Sequence, residues 1–193
     1  MALGLLALGG CRTMPVGGDG LSLDARRERL EAVEAWEMRG RLAVDTGERA
    51  FQGSFQWQQN RDALELVVRG PLGGGVLQVR GSADGLTLTS GGETRSLADP
   101  EADLSALLGW WLPVTSLPAW LVGLPDPAHR AATRTGEIGA LESLEQRAWH
   151  LDYVSYQLRE GLLIPRRIDM SHGPLKVRVS VDAWAPVGAV PAS

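Results

Sequence analysis

The sequence predicts a mainly β fold: one long antiparallel sheet that must curl, with a short helical insertion over its concave face. Three observations predict it. Apolar and polar residues alternate with a period of two through most of the chain, the pattern of half-buried strands. The alternating runs are joined by short links such as Asp45-Thr46-Gly47, Asn60-Arg61-Asp62 and Ala83-Asp84-Gly85, which suit antiparallel hairpins and leave no room for crossover helices. Between residues 99 and 123 the alternation stops and helix-capping residues replace it.

The elements follow in order. Residues 23–35 set Leu23, Leu30 and Val33 among alternating charges, with Asp24 and Glu28 early, and predict an amphipathic helix. Trp36, Met38, Gly40, Leu42 and Val44 then alternate with Glu37, Arg39, Arg41 and Ala43. Phe51, Gly53, Phe55 and Trp57 repeat the pattern, as do Leu64, Leu66 and Val68, then Leu77 and Val79, then Leu86 and Leu88, so five or six strands are expected. Asp99-Pro100 opens a helix, because Asp caps free amides and Pro in the first turn has no amide to lose, and Gly109 closes it. Ser116 and Pro118 open a second helix through Trp120, Leu121 and Val122 to Gly123. Both are too short to be stable alone and too apolar to sit in water, so they must cover something. About four more strands are expected near residues 141–146, 149–156, 167–171 and 175–184, and the Pro- and Ala-rich end from Ala185 reads as a loose tail. A sheet that long curls, and the insertion is the natural plug or lid for its hollow.

Composition narrows the function. A chain of 193 residues, 44% hydrophobic and 22% charged, can bury a core without disulfides or structural zinc, and its single Cys forbids both within the chain. A net charge of −4 offers no basic excess for a phosphate backbone, which argues against nucleic acid. The one lysine, Lys176, stands between Leu175 and Val177 and cannot complete a P-loop. His129, His150 and His172 fall in separate segments without metal-ligand spacing, there is no Gly-x-Ser-x-Gly elbow, and Gly73-Gly74-Gly75 lacks the dinucleotide fingerprint. Asp152 and Asp182 alternate with apolar residues and read as solvated strand faces rather than a glycosidase pair. No catalytic residue, metal or cofactor is expected. What stands out is seven Trp against two Tyr and two Phe. Each alone reads as core packing; as a set, with Trp110, Trp111 and Trp120 in the insertion, they suit an apolar cavity with a removable cover, able to hold acyl chains.

The amino terminus carries a separate message. Residues 1–10 are apolar, far too short to span a bilayer but right for the core of a signal peptide. They end in Leu8-Gly9-Gly10-Cys11, which resembles a bacterial lipobox with Cys11 as the lipid-modified first residue; no Lys or Arg precedes the run, so the true start is expected upstream. Residues 11–20 are Gly-rich and read as a flexible tether. Arg12 stands where an Asp would favour retention in the inner membrane of a Gram-negative bacterium, so the expected location is the outer membrane, facing the periplasm. The expected organisation is a signal peptide (1–10), a lipidated tether (11–20), one folded domain (21–184) and a tail (185–193).

Several segments together resemble the LolB family of outer-membrane lipoproteins. They are the lipobox ending at Cys11, Arg39-Gly40-Arg41-Leu42, Gly53-Ser54-Phe55-Gln56-Trp57-Gln58-Gln59, Gly70-Pro71-Leu72-Gly73, the run from Leu117-Pro118 through Trp120 to Leu124-Pro125, the Trp149, Tyr153 and Tyr156 strand, Leu163-Ile164-Pro165-Arg166 and the last strand through Trp184. The resemblance covers nearly the whole mature chain. It implies an incomplete, unclosed antiparallel β-barrel with an α-helical lid, as in LolA and LolB. It also implies a receptor that takes lipoproteins from a periplasmic carrier, LolA, and places them in the inner leaflet of the outer membrane. The implied partners are that carrier, lipoprotein acyl chains and outer-membrane phospholipid; the chain is expected to be a monomer with no cofactor beyond the covalent lipid on Cys11. The membrane-contacting loop would be Pro71, Leu72 and Gly73, with Leu72 held out between a proline and glycines. The cavity wall would be Met38, Leu42, Phe51, Phe55, Trp57, Leu66, Leu88, Trp149, Leu151 and Tyr153, and the lid Leu108, Trp111, Trp120 and Leu121. The competing expectation is a structural or assembly lipoprotein of the envelope, with a filled β core and no transfer activity.

Overall fold

In the computed structural model, which describes residues 21–71, 75–82 and 85–187, the first periodic segment forms α1 (Leu23–Glu31). Ser22 caps it, its hydroxyl oxygen accepting the Ala25 amide at 3.2 Å, and Asp24 sits in the first turn, where the helix dipole favours negative charge. The helix ends at Glu31, short of the expected residue 35, because Ala35 is already the first residue of the next strand, paired with Asn60.

Six strands follow: β1 (Ala35–Asp45), β2 (Ala50–Asn60), β3 (Ala63–Arg69), β4 (Val76–Ser82), β5 (Gly85–Ser90) and β6 (Glu93–Leu97). Then come α2 (Pro100–Leu108), α3 (Leu117–Leu121) and five more strands: β7 (Ala131–Thr135), β8 (Leu141–Gln146), β9 (Trp149–Arg159), β10 (Leu162–His172) and β11 (Leu175–Pro186). The Asp99 carboxylate accepts the Ala102 amide at 3.1 Å to cap α2, Pro100 fills its first turn, and Gly109 ends it with a left-handed φ of 79°.

All paired strands run antiparallel, in the order β6-β5-β4-β3-β2-β1-β11-β10-β9-β8-β7. The last strand pairs with the first, so the two halves of the chain meet mid-sheet and leave β6 and β7 as edges. The described residues form an unclosed barrel of eleven strands, with α2 and α3 connecting one edge to the other along the chain.

Three differences from the expected elements have local causes. β7, Ala131-Ala132-Thr133-Arg134-Thr135, was not expected: as an edge strand exposed throughout, it buries nothing and carries no apolar alternation. β10 starts at Leu162 rather than near residue 167 and contains Pro165, which the pairing with β9 admits through a register shift between Pro165 and Arg167. β11 runs past Trp184 to Pro186, and the Val187 amide bonds the Ala35 carbonyl at 2.8 Å, so the expected tail from Ala185 begins inside the sheet. The expected leader, the tether and Cys11 lie outside the described residues.

Two cores, bridged by the partly buried Leu64, Leu66 and Leu117, fill the fold. The larger joins α1 and α3 to β1, β2 and β8–β11, with Met38, Trp57, Trp120, Leu144, Leu151 and Ile168 almost wholly buried. The smaller packs Val79, Leu86, Leu88 and Leu97 of β4–β6 against Leu104 of α2 and Val114. The convex face is polar and ion-paired: Arg41 grips Asp182 with two bonds of 2.9 and 3.2 Å, and Asp169 accepts from both Arg167 and Arg178. Such exposed pairs contribute little stability but keep that face wet. Asp182 is half of one of these pairs and Asp152 lies beside half-buried His150, as solvated strand faces require.

Candidate functional site

Between the two cores lies a cavity of about 380 Å³. Period-two alternation and pairing build its wall. Leu42 and Val44 of β1 stand beside Val179 and Val177 of β11, Val44 faces Phe51 of β2, Phe55 and Trp57 face Val68 and Leu66 of β3, and these face Leu77 and Val79 of β4. Trp149, at the start of β9, and Met170 of β10 complete the sheet side. Phe51 and Val76 line the cavity and are 42% and 47% exposed, so they mark its mouth.

Two glycines make room for the aromatic wall. A Cβ at Gly40 would stand 2.1 Å from the Ser180 carbonyl oxygen and 2.7 Å from the Phe55 ring; one at Gly53 would stand 2.4 Å from the Arg69 carbonyl oxygen and 2.9 Å from the Phe51 ring. Each phenyl ring lies over a glycine, so any side chain at either position would displace a wall residue.

Of the expected wall residues, Leu42, Phe51, Phe55, Trp57, Leu66 and Trp149 line the cavity, whereas Met38, Leu88, Leu151 and Tyr153 do not. The four share the inward faces but sit in packed core. Met38, Leu151 and Tyr153 belong to the larger core, where the Tyr153 hydroxyl donates to the Trp120 carbonyl at 3.1 Å, and Leu88 belongs to the smaller one with Leu104. Alternation identifies the face of a strand and not the height along it at which packing gives way to space. The valines Val44, Val68, Val79, Val177 and Val179 were missed as wall residues, although the same alternation marks them.

The insertion divides likewise. Leu108 and Leu121 line the cavity, as does Trp110, but Trp111 and Trp120 do not. Trp120 is wholly buried, its indole N–H donating to the Gln146 side-chain oxygen at 2.7 Å. Gln146 also accepts the Asp126 amide and donates to the carbonyls of Asp126 and His129, so α3 is riveted to β8. Trp111 packs against the larger core, with the Arg147 guanidinium 5.0 Å above its ring and His172 beside it.

Arg147 ties α2 down. It donates to both Glu101 carboxylate oxygens, at 2.8 and 2.6 Å, and to the hydroxyls of Thr115 and Ser116 at 3.1 Å. Burial pushes the Glu101 carboxyl up, but hydrogen bonds from Arg147 and Thr115 outweigh it and hold the group below its ordinary 4.5. With the folded value below the unfolded one, the pair's stabilisation is complete above pH 4.5 and is lost as pH falls through the folded value. Glu101→Gln should therefore flatten the acid-side fall in melting temperature, a difference that scanning calorimetry from about pH 6 to 3 would read.

Chemically the cavity offers burial. Among the described residues its wall carries no acid, base or imidazole, and its one hydroxyl is that of Ser90. Tyr153 and Tyr156 are pushed well above their usual range by burial and stay neutral phenols that anchor backbone carbonyls. Among the described residues no group of His, Cys, Asp and Glu is placed to hold a metal, and no helix is long and apolar enough to cross a membrane. Of the expected membrane-contact loop, Pro71 is exposed, while Leu72 and Gly73 lie outside the described residues. The connection is closed at its base by the Gly70 amide donating to the Gly75 carbonyl at 3.1 Å, and both glycines line the cavity.

This architecture has known counterparts. A LolA superfamily protein from Nitrosomonas europaea superposes with a TM-score of 0.56 over 89% of this chain and 96% of its own, at 9% identity. A putative outer membrane lipoprotein-sorting protein domain from Vibrio parahaemolyticus gives 0.50 over 88% and 93%, at 6% identity; these likenesses establish the fold alone. In sequence, the outer-membrane lipoprotein LolB of Alkalilimnicola ehrlichii is 33% identical over 95% of this chain and 94% of that protein, and that of Nitrosococcus oceani is 32% identical over 94% of each. Residues 34–184, from just before β1 to the last tryptophan of β11, match the family described as outer membrane lipoprotein LolB, and the chain belongs to that family.

Proposed function

We propose that this protein is a lipoprotein receptor of the outer membrane: it accepts lipoproteins from a LolA-like periplasmic carrier by burying their acyl chains in the cavity, then inserts them into the inner leaflet. Lipid on Cys11 holds it to that membrane, facing the periplasm, as a monomer. The observation that carries the reading is a 380 Å³ apolar space, open at Phe51 and Val76, where a structural protein would have a filled core. Releasing an acyl chain into water costs about 0.8 kcal/mol per methylene, or about 8 kcal/mol for ten, so cargo must move from one dry site to another.

The test mixes the chain bearing Cys11→Ala with a carrier–lipoprotein complex and asks where the cargo goes. Cargo should co-purify with this protein. Cargo that stays on the carrier would favour the structural lipoprotein instead. The two half-reactions should separate at Leu72, the residue proposed to enter the headgroup region. Leu72→Glu should leave acceptance intact and slow delivery to liposomes by about 30- to 1,000-fold, since placing a carboxylate there costs roughly 2–4 kcal/mol. Equal loss of both steps would remove the membrane-contact role.

A further inference from the structure

The two cores that flank the cavity are held together unequally. Leu104 of α2 packs with Val79, Leu86, Leu88 and Leu97, so α2 belongs to the β4–β6 wing. α3 is riveted to the opposite half by Gln146 and Tyr153, and only its first residue, Leu117, also touches the smaller core. We propose that α2 and β4–β6 form a flap that swings away from α3 and β7–β11 to widen the cavity for acyl chains, and that the Glu101–Arg147 ion pair is the clasp that holds the two halves together.

Four observations support the clasp. The pair joins α2 to the β8–β9 turn, and no other ion pair between described residues links the wing to the opposite half. Its two side chains are only 16% and 18% exposed, against 28–72% for the Arg–carboxylate pairs Arg41–Asp182 and Arg80–Glu65 on the convex face, so it is less screened by solvent. It is also connected to the wall: Arg147 covers Trp111, Trp111 lies 5.6 Å from His172, and His172 stacks on Trp149 at 5.4 Å.

The fourth observation is backbone strain. Arg147 and Ala148 make a two-residue hairpin turn with φ of 53° and 60°. Such turns favour Asn-Gly, because a side chain is costly at positive φ. Arg61 holds a similar φ of 52° in another turn but meets only the exposed Glu34, whereas the turn at Arg147 delivers its guanidinium to a part-buried carboxylate.

The need for motion comes from size. A cavity of 380 Å³ lies at the small end of ligand pockets, which run from roughly 300 to 1,000 Å³. Lipoprotein cargo bearing several acyl chains needs the walls to part. This step rests on reading the cavity as an acyl-chain site, and the experiment has one arm that does not.

The full chain with Cys11→Ala would be compared with the same chain carrying Arg147→Gln, Glu101→Gln, or both charges exchanged as Glu101→Arg with Arg147→Glu. In the first arm, stopped-flow fluorescence follows uptake of a polyene fatty acid. The single variants should bind about tenfold faster, and the exchanged pair should return to within about threefold of the parent. Unchanged or slower uptake in the single variants would overturn the clasp. In the second arm, hydrogen exchange is read by mass spectrometry without ligand. Faster exchange confined to α2 and β4–β6 in Arg147→Gln supports the flap, and faster exchange spread over the whole molecule, or none, overturns it. A parent that takes up no fatty acid would refute the uptake reading, and the second arm would still decide the clasp.

Discussion

Gln146→Leu should destabilise the protein by about 3–5 kcal/mol, among the largest effects available to one substitution of similar size. The side chain is 3% exposed and uses every hydrogen bond it can make: its oxygen accepts the Trp120 indole N–H at 2.7 Å and the Asp126 amide at 2.9 Å, and its nitrogen donates to the carbonyls of Asp126 at 2.8 Å and His129 at 2.7 Å. Leucine fills most of the volume and returns none of these bonds. Two buried donors and two carbonyls are then left without this partner, and each buried unsatisfied group costs about 1–3 kcal/mol. The melting temperature should fall by roughly 10 °C or more. Gln157→Leu is the control: its amide makes a single part-buried bond to the Val181 carbonyl, and its loss should cost about 1 kcal/mol. Urea unfolding of the two variants would measure the difference, and a Gln146 penalty no larger than that of Gln157 would show that α3 is held by packing alone.

Gln146 also shows what the sequence concealed. Composition and period place it at the end of a strand, next to a turn, with nothing to distinguish it from Gln56 or Gln58. Its role depends on Trp120 and Asp126, 26 and 20 residues away, and only the folded chain brings the three together. Trp120 was misread for the same reason. A tryptophan in a short helix looks like a lid residue until the indole N–H has a buried acceptor, and here that acceptor ties α3 to β8. Arg147 was invisible, since neither turn propensity nor alternation assigns an arginine to a left-handed turn.

What was legible was whatever depends on local chemistry. The caps of α2 are written in Asp99, Pro100 and Gly109, and the hairpins of β1–β6 in their turn residues and alternation. β7 was illegible because an edge strand with both faces wet needs no pattern. Within the legible strands the face of each residue could be read, but not its depth. Met38 and Leu42 alternate identically on β1; one is wholly buried in the larger core and the other lines the cavity. The difference is made by α1 and α3, which fill one end of the hollow and leave the other open.

That division sets the largest functional effect, expected from Val68→Asp. Val68 lines the cavity on β3 opposite Phe55 and Leu77, and it is only half-buried, so an aspartate there can stay hydrated while the cavity is empty. Folding should change by about 1 kcal/mol or less. Entry of an acyl chain removes that water. The carboxylate must then remain charged in hydrocarbon, at a cost of several kcal/mol, or take up a proton. From an ordinary aspartate value near 3.9, protonation at pH 7 costs about 4 kcal/mol, which caps the loss of affinity at roughly a thousandfold. The sign with pH follows: the proton is taken up at no cost once pH falls to about 4, so binding of a fatty acid should recover towards the parent in acid. Val68→Asn has no such escape, and should show a smaller penalty, about 1–3 kcal/mol, that does not change with pH. Equilibrium titration of both variants at pH 7 and near pH 4 distinguishes the cases. Binding by Val68→Asp within threefold of the parent at pH 7 would mean that acyl chains do not pass β3, and would move the site elsewhere on the molecule.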